Sequence, residues 1–249
     1  MRITNFVVLL ALAGQGFGVG QTPAPAKSAR EEAPIDLTGY WTSIVTQDWL
    51  YRMRTPPKGD YSGVPLTALG KQTADAWDPS KDEASGNQCK SYGAAGLMRI
   101  PGRLHITWAD DNTLRIDAEA GNQTRLLHFH ASEPPVGEAQ PQGYSAAEWQ
   151  ILRVRRPPHP GDSVRGGGLK VVTTHMRPGY LRKNGVPYSD KAVMTEYFDV
   201  TGEPNGWRFI LLTSIVEDPL YLTSTFLLNT PFRSLPDGVD WNPSPCTSQ

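Results

Sequence analysis

Between Arg103 and His130 the sequence alternates apolar and polar residues with a period of two, in three runs separated by turn residues. Leu104, Ile106 and Trp108 fall on one face of the first run, and Arg103, His105 and Thr107 on the other. Leu114 and Ile116 repeat the pattern after Asp111-Asn112, and the third run follows Gly121-Asn122. Successive side chains of an extended strand point to opposite faces, so a chain patterned this way folds as half-buried strands. The connections are too short for parallel crossovers, which predicts an antiparallel meander.

The rest of the chain extends this reading. Residues 38–46 are rich in β-branched and aromatic side chains and read as a first strand. Further strands are expected over 144–154, 169–176, 192–200, 207–217 and 221–228, with 131–143 and 155–168 as Pro- and Gly-rich excursions. Phe209 to Val216 is apolar at both alternating positions, which predicts a strand covered on both faces. One short helix is expected over 66–77, ended by Asp78-Pro79. The fold class is therefore mainly β, an antiparallel barrel or strongly curved sheet within one domain over 36–249.

The start of the chain points to export. Arg2, the apolar run Phe6 to Ala13 and the small residues after it have the layout of a secretory signal peptide over 1–20. The run is too short for a permanent anchor, so no transmembrane segment is expected after cleavage. Residues 21–35 read as a flexible linker. Outside the cytoplasm, Cys89 and Cys246 are expected to form a disulfide, and a bacterial periplasmic or extracellular setting follows. The formal charge of −1 excludes a phosphate-neutralising surface, so nucleic acid is not an expected partner.

Two resemblances bear on fold. Gly39-Tyr40-Trp41, after Asp36-Leu37-Thr38, resembles the Gly-x-Trp opening of lipocalin-like (calycin) barrels, where Gly permits a close approach and Trp plugs the closed end. A longer series is similar to a group of uncharacterised exported bacterial proteins. It comprises Pro101-Gly102-Arg103, Gly143-Tyr144-Ser145 with Trp149, Asn184 to Ser189, Thr195 to Phe198 and Val216 to Pro219. That group brings no residue roles with it. Tyr144, Tyr188 and the insert at 155–168 depart from its pattern.

Several side chains are candidates for chemistry. His105, His128 and His130 on neighbouring strands could converge on a metal ion, although single packing of each histidine explains them as well. Glu196 alternates with Met194 and Phe198. It reads either as a buried acid, serving with His175 as an acid–base pair, or as the partner of an Arg across the sheet. Arg177, Tyr180 and Arg182 lie in a donor-rich loop and, with Tyr188, Trp108 and His105, could bind a carboxylate, phosphate or sugar. The leading expectation is an exported protein that binds a partly apolar small molecule inside the barrel. The alternatives are an exported enzyme using Glu196 and His175, and a structural module of the cell envelope.

Overall fold

The computed structural model describes residues 26–130, 134, 136–153, 165–236, 238 and 240–248. The leader expected over 1–20 and most of the 155–168 excursion lie outside the described residues. In chain order the strands are β1 (Gly39–Ser43), β2 (Arg103–Asp110), β3 (Thr113–Ala118), β4 (Gln123–Phe129), β5 (Tyr144–Arg153) and β6 (Arg165–Thr174). They continue with β7 (Gly179–Arg182), β8 (Val186–Tyr188), β9 (Val193–Gly202), β10 (Arg208–Glu217) and β11 (Phe226–Leu235). Nine of them close into a barrel in the order β1-β11-β10-β9-β6-β5-β4-β3-β2, while β7 and β8 form a separate hairpin.

The β2–β3–β4 meander has the expected register, with Ile106 opposite Ile116 and Leu114 opposite Leu127. Its second turn depends on glycine. Gly121 has φ +73°, and a Cβ there would lie 2.4 Å from the Tyr92 ring. The ring as a whole is not a simple meander. Direction reverses at every antiparallel contact, and a closed circuit must return to its starting direction. Nine contacts therefore cannot all be antiparallel. The parallel one joins β4 to β5, with Leu127 opposite Ser145 and Phe129 opposite Ala147.

Other boundaries shift for physical reasons. The last strand lies over 226–235 rather than 221–228, because Leu222 is drawn into a second apolar cluster outside the barrel. Strand β10 is not covered on both faces, since Leu211 is 48% exposed. Regular structure also begins before Asp36, within the stretch expected to be a linker.

That earlier start is α1 (Ala29–Glu32), the first of five short helices; the others are α2 (Trp49–Met53), α3 (Ala68–Asp75), α4 (Pro79–Ala84) and α5 (Ala94–Leu97). Ser28 caps α1 with a capping box. Ala29 is sealed against the barrel: Trp149 donates to its carbonyl at 2.7 Å and its N–H donates to Asn112 at 2.9 Å. Helix α3 falls inside the expected 66–77 segment, whereas the other four carried no clear sequence period.

The barrel interior is packed. Leu104, Ile106, Leu114 and Ile116 face inward as expected and meet Leu127, Leu169, Val171, Phe198, Ile210 and Phe232. Trp41 is fully buried, donates to the Leu37 carbonyl at 2.9 Å and lies beneath the Arg208 guanidinium. Trp108 sits at the rim against Phe129 and Trp149 instead of lining a hollow calyx. Between α5, β10 and β11 there remains a void of about 10 Å³, room for one water. The expected ligand chamber inside the barrel is thus filled by side chains.

A cap covers the end of the barrel at which β1 finishes. It is built from residues 44–102, the β7–β8 hairpin and the 218–225 loop. Its own apolar cluster includes Tyr61, Met176, Leu181, Val186, Tyr188 and Leu222. The C-terminal segment runs along the outside of β1 and β2, where Trp241 meets the stacked Tyr40 and His105 rings. It ends at the expected disulfide, Cys89–Cys246, with Cα atoms 5.1 Å apart. Among the described residues no helix is long and apolar enough to cross a membrane.

Candidate functional site

Residues of the Asn184–Ser189 and Val216–Pro219 stretches organise the scaffold. Asn184 is fully buried and donates to the carbonyls of Pro57 and Asp60, and Gly185 at φ +82° leaves room for Trp77. Ser189 donates its hydroxyl to Asp218, whose carboxylate also accepts from the N–H groups of Leu220 and Tyr221. These contacts fasten the parts of the cap to one another.

Glu196 is the buried acid that the alternation predicts, and its partner is Arg125, reached across the barrel from β4. The pair is bidentate, at 2.7 and 3.2 Å, with both side chains 0% exposed. Arg125 also donates to Ser145 and Thr173, which are 2.8 Å from each other. A carboxylate held this way is closed to substrate. His175 is exposed, at φ +55°, and hydrogen-bonds Thr174. The two are not brought together, so the acid–base arrangement has no geometric basis.

The metal expectation is likewise not met. His105 stacks on Tyr40 at 4.0 Å, its direct neighbour across β1 and β2. His128 stacks on Tyr144 at 5.1 Å. His130 is exposed just beyond the end of β4, at φ +55°. His105 lies opposite Asp117, while His128 lies opposite Thr113 at the other end of β3. Among the described residues no group of three or more His, Cys, Asp or Glu side chains is placed to hold a metal.

The donor-rich loop is divided between two places. Arg177 is exposed, with one long bond from its Nε to the Ala139 carbonyl. Tyr180 donates to Asp82 at 2.7 Å, which with burial pushes its phenol up. A register shift between Tyr180 and Arg182 turns Arg182 away into the cap. There it meets Arg52 and Arg99, and the three form the most unusual polar cluster among the described residues.

All three guanidinium groups are buried, and one carboxylate, Asp48, pairs with two of them. Arg99 Nη2 donates to Asp48, and Arg182 Nη2 does so at 3.3 Å. Arg182 Nη1 donates to the Ser62 carbonyl at 2.7 Å, and its guanidinium lies over the Tyr51 ring at 5.0 Å. Arg52 Nε donates to the Arg99 carbonyl at 2.8 Å. Among the described residues, both terminal nitrogens of Arg52, and the Nε atoms of Arg99 and Arg182, have no partner. Burial first, then the Arg99 charge, pushes Arg52 down to about 10, which still leaves it cationic at neutral pH. Asp60 lies farther off and is itself held low, mainly by hydrogen bonds from Ser62.

Excess buried cation with unmet donors is costly unless an anion completes it. Helix α2 covers the cluster and is lightly held. It has five residues, Asp48 at its start has φ +55° and makes no capping bond, and Trp49 and Met53 are 62% and 61% exposed. Sequence reasoning missed Arg52, Arg99 and Asp48. The available signal was an Arg inside each of two apolar runs, Trp49 to Met53 and Leu97 to Ile100.

Compared with protein-family models, curated proteins and solved structures, the chain has no match in any of the three.

Proposed function

We propose that this protein binds a small anionic ligand with a partly apolar body, and does so outside the cytoplasm. The anionic head would sit among Arg52, Arg99 and Arg182, beneath α2 at the capped end of the barrel. One observation carries the reading: three guanidinium groups are buried together, Asp48 pairs with only Arg99 and Arg182, and among the described residues the two terminal nitrogens of Arg52 have no partner. The exposed Trp49, Leu50 and Met53 beside it supply an apolar surface for the body of the ligand. Ligand access requires α2 to lift, which its length and missing cap favour. The extracytoplasmic setting rests on the leader-like start and on the disulfide.

Octanoate, octanol and acetate, titrated separately by calorimetry and thermal shift, test the assignment. Octanoate is expected to bind and raise Tm, octanol to bind far less, and acetate to bind weakly. Arg52→Met is expected to abolish the octanoate response. Equal binding of octanol and octanoate, or an unchanged response in Arg52→Met, would overturn it.

A further inference from the structure

A second group of unmet donors lies on the other side of the cap and owes nothing to the arginine cluster. Tyr188 on β8 is 1% exposed, yet its hydroxyl makes no hydrogen bond among the described residues. It lines a cleft of about 70 Å³ together with Lys90, Arg177, Asn87, Gly93 and Cys89. Two glycines make room for that hydroxyl. A Cβ on Gly93 would lie 2.1 Å from the Tyr188 oxygen, and a Cβ on Gly179 would lie 2.7 Å from it.

The charges around the cleft are of one sign. Lys90 comes from the 3-10 turn Lys90–Tyr92, and Arg177 from the loop ahead of β7. The carboxylate packed beside them, Asp82, is already engaged on both oxygens: Lys90 takes one at 2.8 Å and Tyr180 the other at 2.7 Å. Lys90 retains two further ammonium hydrogens for another acceptor. The Arg177 guanidinium has its single long bond to Ala139 and terminal nitrogens free to turn inward. Pro141 contributes a carbonyl to the rim, and the Ala94 N–H already satisfies it.

We infer that this cleft is a binding site for a single oxyanionic group (a phosphate, sulfate or carboxylate) held by the Tyr188 hydroxyl, the Lys90 ammonium and the Arg177 guanidinium. Its size suits one such group. Whole small-molecule ligands occupy pockets of about 300–1,000 Å³. Such an anion joins three segments that otherwise meet only through packing: the turn that carries the disulfide, the loop at 176–178 and β8. Occupancy is therefore expected to stiffen the capped end next to Cys89.

The test uses the full mature chain with its disulfide intact. Inorganic phosphate and acetate are titrated separately, by calorimetry and by amide chemical shifts of residues 87–93 and 176–188. Saturable binding is expected, weakened about five- to tenfold in Tyr188→Phe, which removes only the hydroxyl. Arg177→Gln, at an exposed position, is expected to weaken binding at least as much, while Arg52→Met leaves it unchanged. A preference for phosphate would identify a tetrahedral group as the occupant, and a preference for acetate a carboxylate. The assignment is overturned by an absence of saturable binding. Binding that Tyr188→Phe and Arg177→Gln leave intact overturns it as well, as does binding lost only in Arg52→Met, which would place the anion in the arginine cluster.

Discussion

The barrel interior and the cap each bury arginine, and they treat it in opposite ways. Inside the barrel, Arg125 has a bidentate carboxylate and two hydroxyl neighbours, so its charge is answered from within the chain, and only its Nε lacks a partner among the described residues. In the cap, one carboxylate pairs with Arg99 and Arg182, Arg52 has no carboxylate partner, and among the described residues both of its terminal nitrogens are unmet. A charge-matched network specifies a core and calls for no further ion. An incomplete one keeps an interaction in reserve. The contrast separates buried charge that serves the fold from buried charge that awaits a ligand, a separation that burial alone does not make.

The two regions are also fastened differently, and the largest expected effect tests that. The disulfide closes a loop across 157 positions at the cap. Loop-closure entropy puts its removal at up to about 5 kcal/mol. Replacing both Cys89 and Cys246 by serine is expected to lower the denaturant midpoint, and to lower hydrogen-exchange protection first over 87–100 and the C-terminal segment. Equal loss of protection in β3 and β4 would mean that cap and barrel are one cooperative unit.

Breaking the charge-matched pair in the barrel comes next. Glu196→Ala leaves Arg125 buried and unanswered, and is expected to cost about 3–5 kcal/mol in chemical denaturation. A change near zero would show that water enters the barrel freely. At the cap the sign reverses. Arg52→Met removes an unanswered charge, and in anion-free buffer is expected to raise stability by about 1–3 kcal/mol. Arg125→Met, by the same measurement, is expected to lower it. If both substitutions move stability in one direction, the contrast between the regions fails.

The smallest effect concerns the barrel surface. His128, stacked on Tyr144, lies below its ordinary value of 6.5, because burial disfavours its charged form more than Asp110 favours it. The unfolded chain then takes up this proton at a higher pH than the folded one. Stability is accordingly fully present above pH 6.5 and declines as the pH drops below it. His128→Gln is expected to flatten the Tm profile in that range, as read by calorimetry from pH 7 downward. An unchanged profile would assign the dependence to another group.

Much of the barrel was legible in the sequence. The alternation at 103–130 placed three strands, their turns and the inward faces of the first two correctly, and Glu196 was recognised as a buried acid from Met194 and Phe198 alone. The pairing of Cys89 with Cys246 followed from the number of cysteines and the expected compartment. Other features were not legible. Residues 131–143 read like any Pro- and Gly-rich loop, and nothing in them signals that β4 and β5, on either side, pair in parallel. His105 and His128 share the polar-face pattern of metal ligands, but their positions along β3 set them apart. Arg182 sits two residues from Tyr180, and only the irregularity in β7 sends it into the cap.

The sequence by itself determined which residues are extended, which face each presents, and which must be buried. Backbone geometry fixes the direction of a side chain locally, so a period of two is enough. The tertiary structure alone decided which buried charge meets which. Arg125 and Glu196 lie 71 positions apart and on strands that are not neighbours in the ring. Arg52, Arg99 and Arg182 come together only once the cap has folded onto the barrel. Such meetings depend on how distant segments close around a shared interior, and no local pattern encodes that closure.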